Sequence, residues 1–539
     1  MGPAEAATTP TQLAKAIETY LVEHPAAVLL EEGSVAFDMR TARYSIGDSH
    51  GRCLLQVWSD ERNLIRTVVE IAPRSHILRL VTRRMGMAKA QTLEFVASSD
   101  RRTPMARDAA RRNYLRLLDR TLTRKFIGSK VDGLRSAMDL EHSFGPAYAR
   151  GRLLRGTVAE AVIGISAAES AATIDGILTL GILWLDYCRQ HSGGRRHFGT
   201  LKVIVPAGAS RTTAERMAWL NHAAANFQLF TLDERTEELA SLDFRDTGNF
   251  DARLVHAFSA ASALERCKEG INHLRALVPP AARSRIELWP RSASEVSLLL
   301  HGLDFARVRH GAHMRSFSGE DELTFGAGAH ETILTAENEG LCRELFERLF
   351  LSRNPDGAHT DALFRLQPER WLESCLRCGL SAIFPNLRAD LLYSQVPALS
   401  AGDRGMLDLL TLDCNGRLII LELKANDDLH LPLQALDYWI RVRTLNQDRT
   451  LAPGGRCLSA FERHGYFPGA EVSPLPPRLI LAAPCLRIHP ANEAVLRYLS
   501  LEVDWEFIGL AEHWRHELSV VTRKRSQTEQ TDVCKANAP

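Results

Sequence analysis

The stretch that decides the fold of this chain is Met406-Leu-Asp-Leu-Leu-Thr-Leu-Asp-Cys-Asn-Gly-Arg-Leu-Ile-Ile-Leu-Glu-Leu-Lys-Ala425. Two apolar runs flank Asp413-Cys-Asn-Gly416, a group of typical turn residues. The pattern predicts a β-hairpin with strands at about 406–412 and 418–425. Because Asp occupies the first and Gly the fourth turn position, we expect a type I turn that closes a three-residue loop.

The length of this loop decides which hairpin residues lie opposite each other. A three-residue loop, or a bulge of the same parity, pairs Asp413 with Arg417 and places Asp408 opposite Glu422. A two-residue Asn-Gly turn would instead turn Asp408 to the other face of the hairpin. We predict the first arrangement. Strand residues two apart share a face, so Lys424 then projects beside Glu422 and Asp408.

Charged side chains in an otherwise apolar strand require compensation, because burying a charge costs several kcal/mol. Asp408 and Glu422 are suited to bind a hard divalent cation, Mg²⁺ or Mn²⁺, which would also take a substrate phosphate. Lys424 is one of only nine lysines among 66 basic residues. An amine at that position can orient a water molecule or neutralise a charged transition state. A structural ion pair within the strand is the alternative interpretation.

The sequence from Asp408 to the next predicted helix resembles the PD-(D/E)XK nuclease superfamily. Asp408 is followed by Glu422-Leu-Lys424, and Gln434-Ala-Leu-Asp-Tyr438 is similar to the Q-x-x-x-Y element of its RecB-like and NucS-like branch. Leu407 stands where the name of the family has Pro. The resemblance covers about residues 365–515.

The resemblance implies a fold and further site residues. The expected fold is restriction-endonuclease-like, with a central mixed sheet flanked by helices and later strands at 478–483 and 505–510. Gln434 and Tyr438 would border the catalytic site and contact the substrate strand, together with Arg441 on the same helix face. Glu373 on the preceding helix would supply an extra acid. A solvated helix acid is the alternative for Glu373.

The whole chain is predicted to be of the α/β class, with several domains, because 539 residues exceed what one core organises. The Arg353-Asn-Pro-Asp-Gly357 turn marks one boundary. The predicted parts are a β-rich N-terminal region with a basic helical segment at 1–155, a middle α/β domain at 156–350, a nuclease-like domain at 351–521 and a disordered tail at 522–539.

The segment from Arg74 to Arg155 is strongly basic, with 19 Lys or Arg against seven acids in a chain of net charge +1. Such a segment can neutralise nucleic-acid phosphates, although solvated helix faces would produce the same composition. The candidate phosphate contacts in this segment are Arg101, Arg102, Arg111, Arg112, Arg116, Arg124 and Lys125.

The middle region shows an internal similarity to the nuclease-like region. A shift of 251 residues aligns Leu185-Asp-Tyr187 with Leu436-Asp-Tyr438, and a predicted strand at 201–206 and helix at 213–225 follow. The carboxylates do not carry over, since Asp408 falls on Thr157 and Glu422 on Ala171. The region is thus either a catalytically empty copy or an unrelated α/β unit of similar layout.

The sequence argues against several classes of protein. No apolar run reaches the 18 to 20 residues of a membrane span, and the ten cysteines are scattered rather than arranged as a disulfide scaffold. The N-terminus lacks the features of a secretion signal. We therefore expect a cytoplasmic protein without a membrane partner. The sequence does not indicate its oligomeric state.

These observations predict an Mg²⁺- or Mn²⁺-dependent nuclease. DNA is preferred to RNA as the substrate only by analogy with the family. Two alternatives remain open. One is a nucleic-acid-binding protein whose nuclease fold is inactive, and the other is an effector whose nuclease activity depends on a small ligand bound by the middle region.

Overall fold

The computed structural model describes residues 9–31, 34–39, 42–49, 51–58, 63–74, 77–83, 90–97, 104–139, 141–194, 196–246, 252–311, 321–327, 331–400, 403–453 and 455–526. The chain forms two compact units. The N-terminal unit contains residues 1–127 and 134–149, and the C-terminal unit contains residues 128–133 and 150–539. Each unit is described by itself below.

The N-terminal unit is built on a seven-stranded sheet with the strand order β2-β1-β7-β6-β5-β4-β3. Alternate residues of β4 are buried, as expected for a sheet with one covered face. Leu13, Ile17 and Leu21 of α1 belong to its core, and a capping box at Thr9 begins that helix. The elements are α1 (Pro10–Glu23), β1 (Val28–Glu31), β2 (Ser34–Asp38), β3 (Arg43–Ser49), β4 (Arg52–Trp58), β5 (Asn63–Arg74), β6 (Ile77–Arg83), β7 (Ala90–Val96) and α2 (Pro104–Lys125).

The C-terminal unit begins with a mixed six-stranded sheet of order β13-β12-β11-β10-β9-β8. Its strands are β8 (Lys130–Arg135), β9 (Tyr148–Arg155), β10 (Val158–Ile165), β11 (His197–Pro206), β12 (Asn226–Asp233) and β13 (Glu238–Leu242). Its helices are α3 (Ala171–Asp175), α4 (Ile177–Gln190) and α5 (Arg211–Met217). The helix α4 is largely buried, and its Gly181 allows Ile163 and Leu201 of the sheet to approach closely.

The next part of this unit is a five-stranded antiparallel sheet with three helices, which enclose one apolar core. Its elements are α6 (Ala260–Arg266), α7 (Lys268–Leu277), β15 (Glu287–Ser292), β16 (Glu295–Leu300), β17 (Leu303–His310), β18 (Asp321–Phe325), β19 (Thr332–Ile333) and α8 (Glu339–Ser352). A short strand before them, β14 (Ala252–Leu254), pairs instead with a strand of the last sheet.

A second mixed sheet, of order β14-β20-β21-β22-β25-β26-β27, completes the unit. Its strands are β20 (Tyr393–Ser400), β21 (Asp403–Leu412), β22 (Leu418–Leu423), β25 (Arg478–Pro484), β26 (Trp505–Leu510) and β27 (Val520–Arg525), and a separate pair is formed by β23 (Arg449–Leu451) and β24 (Cys457–Ser459). Its helices are α9 (Ala362–Arg365), α10 (Pro368–Ile383), α11 (Leu431–Gln447), α12 (Ala460–Arg463) and α13 (Pro490–Leu496). One face of the sheet packs against α10 through an apolar core.

The two mixed sheets have the same topology. In each, a hairpin strand is followed by a helix, a parallel strand, a second helix, another parallel strand and an antiparallel edge strand. Thus β10, α4, β11, α5, β12 and β13 correspond in order to β22, α11, β25, α13, β26 and β27. The similarity noticed in the sequence is therefore accompanied by a shared order of strands and helices.

The repeated sheets pack through reciprocal contacts, since α4 contacts α13 and α5 contacts α11. The Asn221 amide donates to the Tyr498 carbonyl at 2.8 Å, and the Ser500 amide donates to the Trp219 carbonyl at 2.8 Å. Arg216 donates two hydrogen bonds, of 2.8 and 2.7 Å, to Asp437. These contacts also explain why α5 ends at Met217 rather than at the predicted residue 225.

The coarse prediction of an α/β chain is confirmed, and several boundaries are corrected. The predicted boundary at residue 155 divides one sheet, because β9, which ends at Arg155, and β10 both belong to the six-stranded sheet. The predicted middle domain consists of two separate sheets. Residues 522–525, predicted to be disordered, pair with β26 as part of β27. The rest of the predicted tail, 527–539, lies outside the described residues.

One segment in the described part of the chain, Ala171–Gln190, is long and apolar enough to pass for a membrane span. It comprises α3 and α4, and 61% of it is buried inside the protein. The helix α4 packs on β10 and β11, which is the environment of a core helix.

Candidate active site

The candidate site is built on the hairpin formed by β21 and β22. Leu409 pairs with Leu421 and Leu412 with Leu418, and the Asp413 amide donates to the Arg417 carbonyl at 2.9 Å. This is the predicted register, and it makes Asp408 and Glu422 opposite each other. Gly416 has φ +77°, a conformation that glycine adopts without steric cost. The predicted three-residue loop is therefore confirmed.

Asp408 and Glu422 are carboxylates on the same face of the hairpin. Asp408 Oδ2 accepts a hydrogen bond of 2.9 Å from the Leu423 amide, and its Oδ1 accepts one of 3.2 Å from Gln395 Nε2. Glu422 is only 4% exposed, and its buried Oε2 accepts no hydrogen bond from any described residue. A buried carboxylate oxygen without a protein partner is costly, and this cost fits a residue that binds a cation or another group.

The electrostatics of the site support the same conclusion. Burial, together with the neighbouring charge of Glu373, raises the pKa of Asp408 from 3.8 to about 6, against the opposing hydrogen bond from Leu423. Burial also raises the pKa of Glu422 well above its ordinary value, and the negative charge of Asp408 adds to this effect. Without a cation, both carboxyl groups therefore keep their protons to a higher pH than an exposed acid would.

Lys424 lies directly after β22 and provides the nearest positive charge. Its Nζ is 3.5 Å from Asp428 Oδ2, and each of the two side chains is 24% exposed. The charge of Lys424 favours the ionised forms of both Asp408 and Glu422. The structure thus brings Lys424 to the carboxylates, as the strand parity predicts. The sequence analysis missed Asp428, whose only signal was its position in the loop before α11.

Glu373, the candidate extra acid, is buried on α10 with 6% of its surface exposed. It accepts hydrogen bonds of 2.9 Å from Arg370 and from Gln395 Nε2, and it also contacts the Ser394 hydroxyl. Gln395 Nε2 therefore donates to both Glu373 and Asp408 and connects the two acids. Gln395 has φ +53°, a left-handed backbone conformation that is strained for a non-glycine residue. No sequence pattern signalled this residue.

Helix α11 supplies the predicted Q-x-x-x-Y residues. Burial raises the pKa of Tyr438, and the charges of Glu422 and Asp408 raise it further, which shows that its hydroxyl lies within electrostatic reach of both carboxylates. Gln434 is half-buried one helical turn earlier. The guanidinium of Arg441 lies 5.7 Å from the centre of the Tyr438 ring and is mostly buried. Arg441 therefore supports the tyrosine from within the protein.

Comparison with known proteins gives no family assignment. The chain matches no protein-family model, and no curated protein is significantly similar to it. The chemical interpretation of the site consequently rests on its own geometry and on the resemblance of the motif.

The residues that could hold a cation are Asp408 and Glu422. Among the described residues, no three His, Cys, Asp or Glu side chains form a complete metal site by themselves. A magnesium ion usually binds one or two carboxylates and keeps several waters or substrate oxygens. The unpartnered Glu422 Oε2 and the raised pKa values of both acids fit that donor set.

The described phosphate contacts that were predicted in the basic segment lie on α2 of the N-terminal unit, whereas Arg441, predicted to contact the substrate strand, lies on α11. Arg112, Arg116, Arg124 and Lys125 are exposed on α2. Arg111 is less accessible, with 18% of its side chain exposed and Asp108 at 3.9 Å. Arg101 and Arg102 lie outside the described residues.

The six-stranded sheet has no equivalent of the carboxylate pair. The buried half of β10, from Ala161 to Ile165, is apolar throughout. The acid of β10, Glu160, forms an ion pair of 3.0 Å with Lys202, a lysine that is 3% exposed. The negative charge of Glu160 is therefore balanced by a structural ion pair. Thr157 and Ala171, the residues that the sequence shift aligned with the carboxylates, lie outside this strand.

Proposed function

We propose that this chain is a metal-dependent nuclease that hydrolyses phosphodiester bonds with Mg²⁺ or Mn²⁺. The observation that carries the proposal is the pair of half-buried Asp408 and buried Glu422 on one hairpin, with an unsatisfied Glu422 oxygen and Lys424 beside it. Protein folding gains nothing from such a pair. A site that binds a cation and a phosphate accounts for all three side chains.

Each side chain has a chemical role in this proposal. Asp408 and Glu422 would hold the metal ion, which supplies an acidified water molecule and charge neutralisation at the phosphate. Lys424 would orient the attacking water and neutralise charge on the phosphate oxygens. Tyr438 stays protonated because its pKa is raised, so its hydroxyl can donate a hydrogen bond to substrate. Glu373 and Gln395 would fix the orientation of Asp408.

The substrate that we propose is DNA, by analogy with the family that the motif resembles. The exposed basic residues of α2 support a nucleic-acid partner, because Arg and Lys on a protein surface can neutralise phosphates and give salt-dependent binding. RNA is the second substrate to be tested. The order of strands supports a restriction-endonuclease-like fold for β20–β27, with the six-stranded sheet as a copy that lacks catalytic groups.

The decisive experiment is a cleavage assay on single-stranded, double-stranded and branched DNA and on RNA, with Mg²⁺, Mn²⁺ or EDTA. Glu422→Gln and Lys424→Ala are expected to abolish cleavage and to retain nucleic-acid binding. Glu462→Gln and Lys268→Ala are the matched controls: Glu462 is an acid of the same unit with 7% of its side chain exposed, and Lys268 is an ion-paired surface lysine. Both controls should cleave like the wild type.

The outcomes separate the proposal from its alternatives. Salt-sensitive DNA binding without cleavage in any metal would favour an inactive nucleic-acid-binding protein. Cleavage that begins only when nucleotides are added would favour a ligand-regulated effector. Full activity of Lys424→Ala would refute the role assigned to this lysine. Reversal of the charges at Arg112, Arg116 and Arg124 should weaken DNA binding, and unchanged affinity would remove α2 from the proposal.

A further inference from the structure

A second charged site lies at the opposite end of the last sheet. The pocket around Glu506, called here the Glu506 pocket, has a volume of about 330 Å³. Its walls include Phe384, Asp413, Arg478, Glu506, Arg523 and Arg525. Glu506 pairs with Ile480 and Arg525 in the sheet register and so lies on the face covered by α10. Glu422 lies on the other face, so the two sites are separate.

Three guanidinium groups surround one buried carboxylate in this pocket. Glu506, which is 2% exposed, is 3.0 Å from Arg478, 2.9 Å from Arg523 and 3.3 Å from Arg525. One carboxylate cannot balance three cations. The other acid of the wall, Asp413, is used by the hairpin turn, because its Oδ1 accepts hydrogen bonds from the amides of Asn415 and Arg417. These hydrogen bonds orient Asp413 but do not cancel its charge, so the wall carries three cations and two anions, a net charge of +1.

The guanidinium groups also have unused hydrogen-bond donors. Arg523 donates one hydrogen bond to Glu506 and one to the Ile383 carbonyl. The side chain of Arg525 is 56% exposed. Among the described residues, it donates one hydrogen bond, to Glu506. Arg478 Nε is buried without a hydrogen-bond partner there, with Asp504 3.7 Å away. Arg478 and Arg525 can thus direct several donors to a ligand.

The size of the pocket indicates more than a single ion. A volume of about 330 Å³ is in the range of small-molecule sites. Phe384 and Ile419 give it an apolar wall next to the guanidinium groups. Arg side chains recognise the oxygens of a phosphate group bidentately, and the positive net charge of the wall favours an anionic ligand.

We propose that the Glu506 pocket binds a phosphomonoester group, held mainly by Arg478 and Arg525. The proposal is independent of the nuclease activity, because the pocket is on the other face of the sheet from Asp408 and Glu422. Two sources carry this chemistry. One is a free mononucleotide, and the other is the 5′-phosphate at the end of a nucleic-acid strand.

The test is direct binding to the full chain by calorimetry, in EDTA so that the carboxylate site is not occupied by metal. The probes are inorganic phosphate, deoxyadenosine 5′-monophosphate, and one short oligonucleotide with and without its 5′-phosphate. Arg525→Gln should weaken binding of the probes about tenfold, the loss of one charge-assisted hydrogen bond. The matched control is Arg456→Gln, which alters an arginine 58% exposed with one acid at 3.3 Å.

Tighter binding of the mononucleotide than of the oligonucleotides identifies a small-molecule site. A requirement for the 5′-phosphate on the oligonucleotide, with weak mononucleotide binding, identifies a strand-end site. Both outcomes support the proposal. Absence of binding by all phosphate probes overturns it, as does equal affinity of Arg525→Gln and Arg456→Gln. Arg525 is on the exposed edge strand, so the variant is expected to fold.

Discussion

Replacement of Asp408 by Asn should stabilise the metal-free protein at high pH and remove its response to metal. In the folded chain the pKa of Asp408 is raised from 3.8 to about 6. At 1.36 kcal/mol for each pH unit, ionised Asp408 therefore costs about 3 kcal/mol of folding free energy above this pKa. Asn has the same shape and carries no charge, so the variant avoids that cost.

The hydrogen bonds of Asp408 reduce the stability that the variant gains by removing the charge. The Leu423 amide can donate to the Asn oxygen as it does to Asp408 Oδ2. Gln395 Nε2 donates to Oδ1, and an Asn amide group at that position would lose this hydrogen bond at a cost of about 1 kcal/mol. The net expectation is that Asp408→Asn is more stable than the wild type by about 2 kcal/mol in alkaline buffer without metal.

The sign of the effect depends on pH. Because the folded pKa is higher than the unfolded one, the favourable contribution of Asp408 is fully present below 3.8 and is lost as the pH rises toward 6. Near pH 4 the wild-type carboxyl is protonated in the folded chain and only partly protonated in the unfolded one, so Asp408→Asn should there be less stable by about 0.5 kcal/mol. The two stability curves should cross between these pH values.

The assay is urea unfolding followed by tryptophan fluorescence, at about pH 4 and about pH 8, with EDTA and then with Mg²⁺ or Mn²⁺. Seven of the eight tryptophans lie in the C-terminal unit, so the signal reports mainly on that unit. Metal should stabilise the wild type at high pH by binding the two carboxylates, and should not stabilise Asp408→Asn. Equal stability of the two proteins without metal, or an equal gain from Mn²⁺, would refute the reasoning.

Two further predictions concern the hairpin turn and the contact between the repeated sheets. Gly416→Ala should destabilise the chain by more than the 1–3 kcal/mol of a left-handed alanine, because its Cβ would lie 2.2 Å from the Glu471 carbonyl oxygen. Gly455→Ala, with φ +81° and open space around it, is the control, and equal losses of stability would contradict the predicted clash. Arg216→Met should cost about 3 kcal/mol of unfolding free energy by leaving Asp437 without its cation, whereas Arg216→Met combined with Asp437→Leu should recover most of it. A double variant as unstable as the single one in urea would show that the ion pair is not the cause.

The sequence predicts well where local rules decide the structure. The strands at 478–483 and 505–510 were expected from short apolar runs, and β25 and β26 contain them. The opposition of Asp408 and Glu422 follows from the turn residues, because strand parity allows one register for a loop of three residues. The prediction for 213–225 failed because Trp219 and Asn221 form hydrogen bonds with a segment far along the chain.

The sequence by itself determined the hairpin, its register and the three charged side chains that it presents, because these depend on neighbours within about 20 residues. Only the tertiary structure revealed that Gln395 joins Glu373 to Asp408, that two sheets share one topology, and that three arginines surround Glu506. Such contacts join residues on separate elements, and the packing of those elements is set by the burial of whole faces. A local pattern of residue types carries no record of that packing.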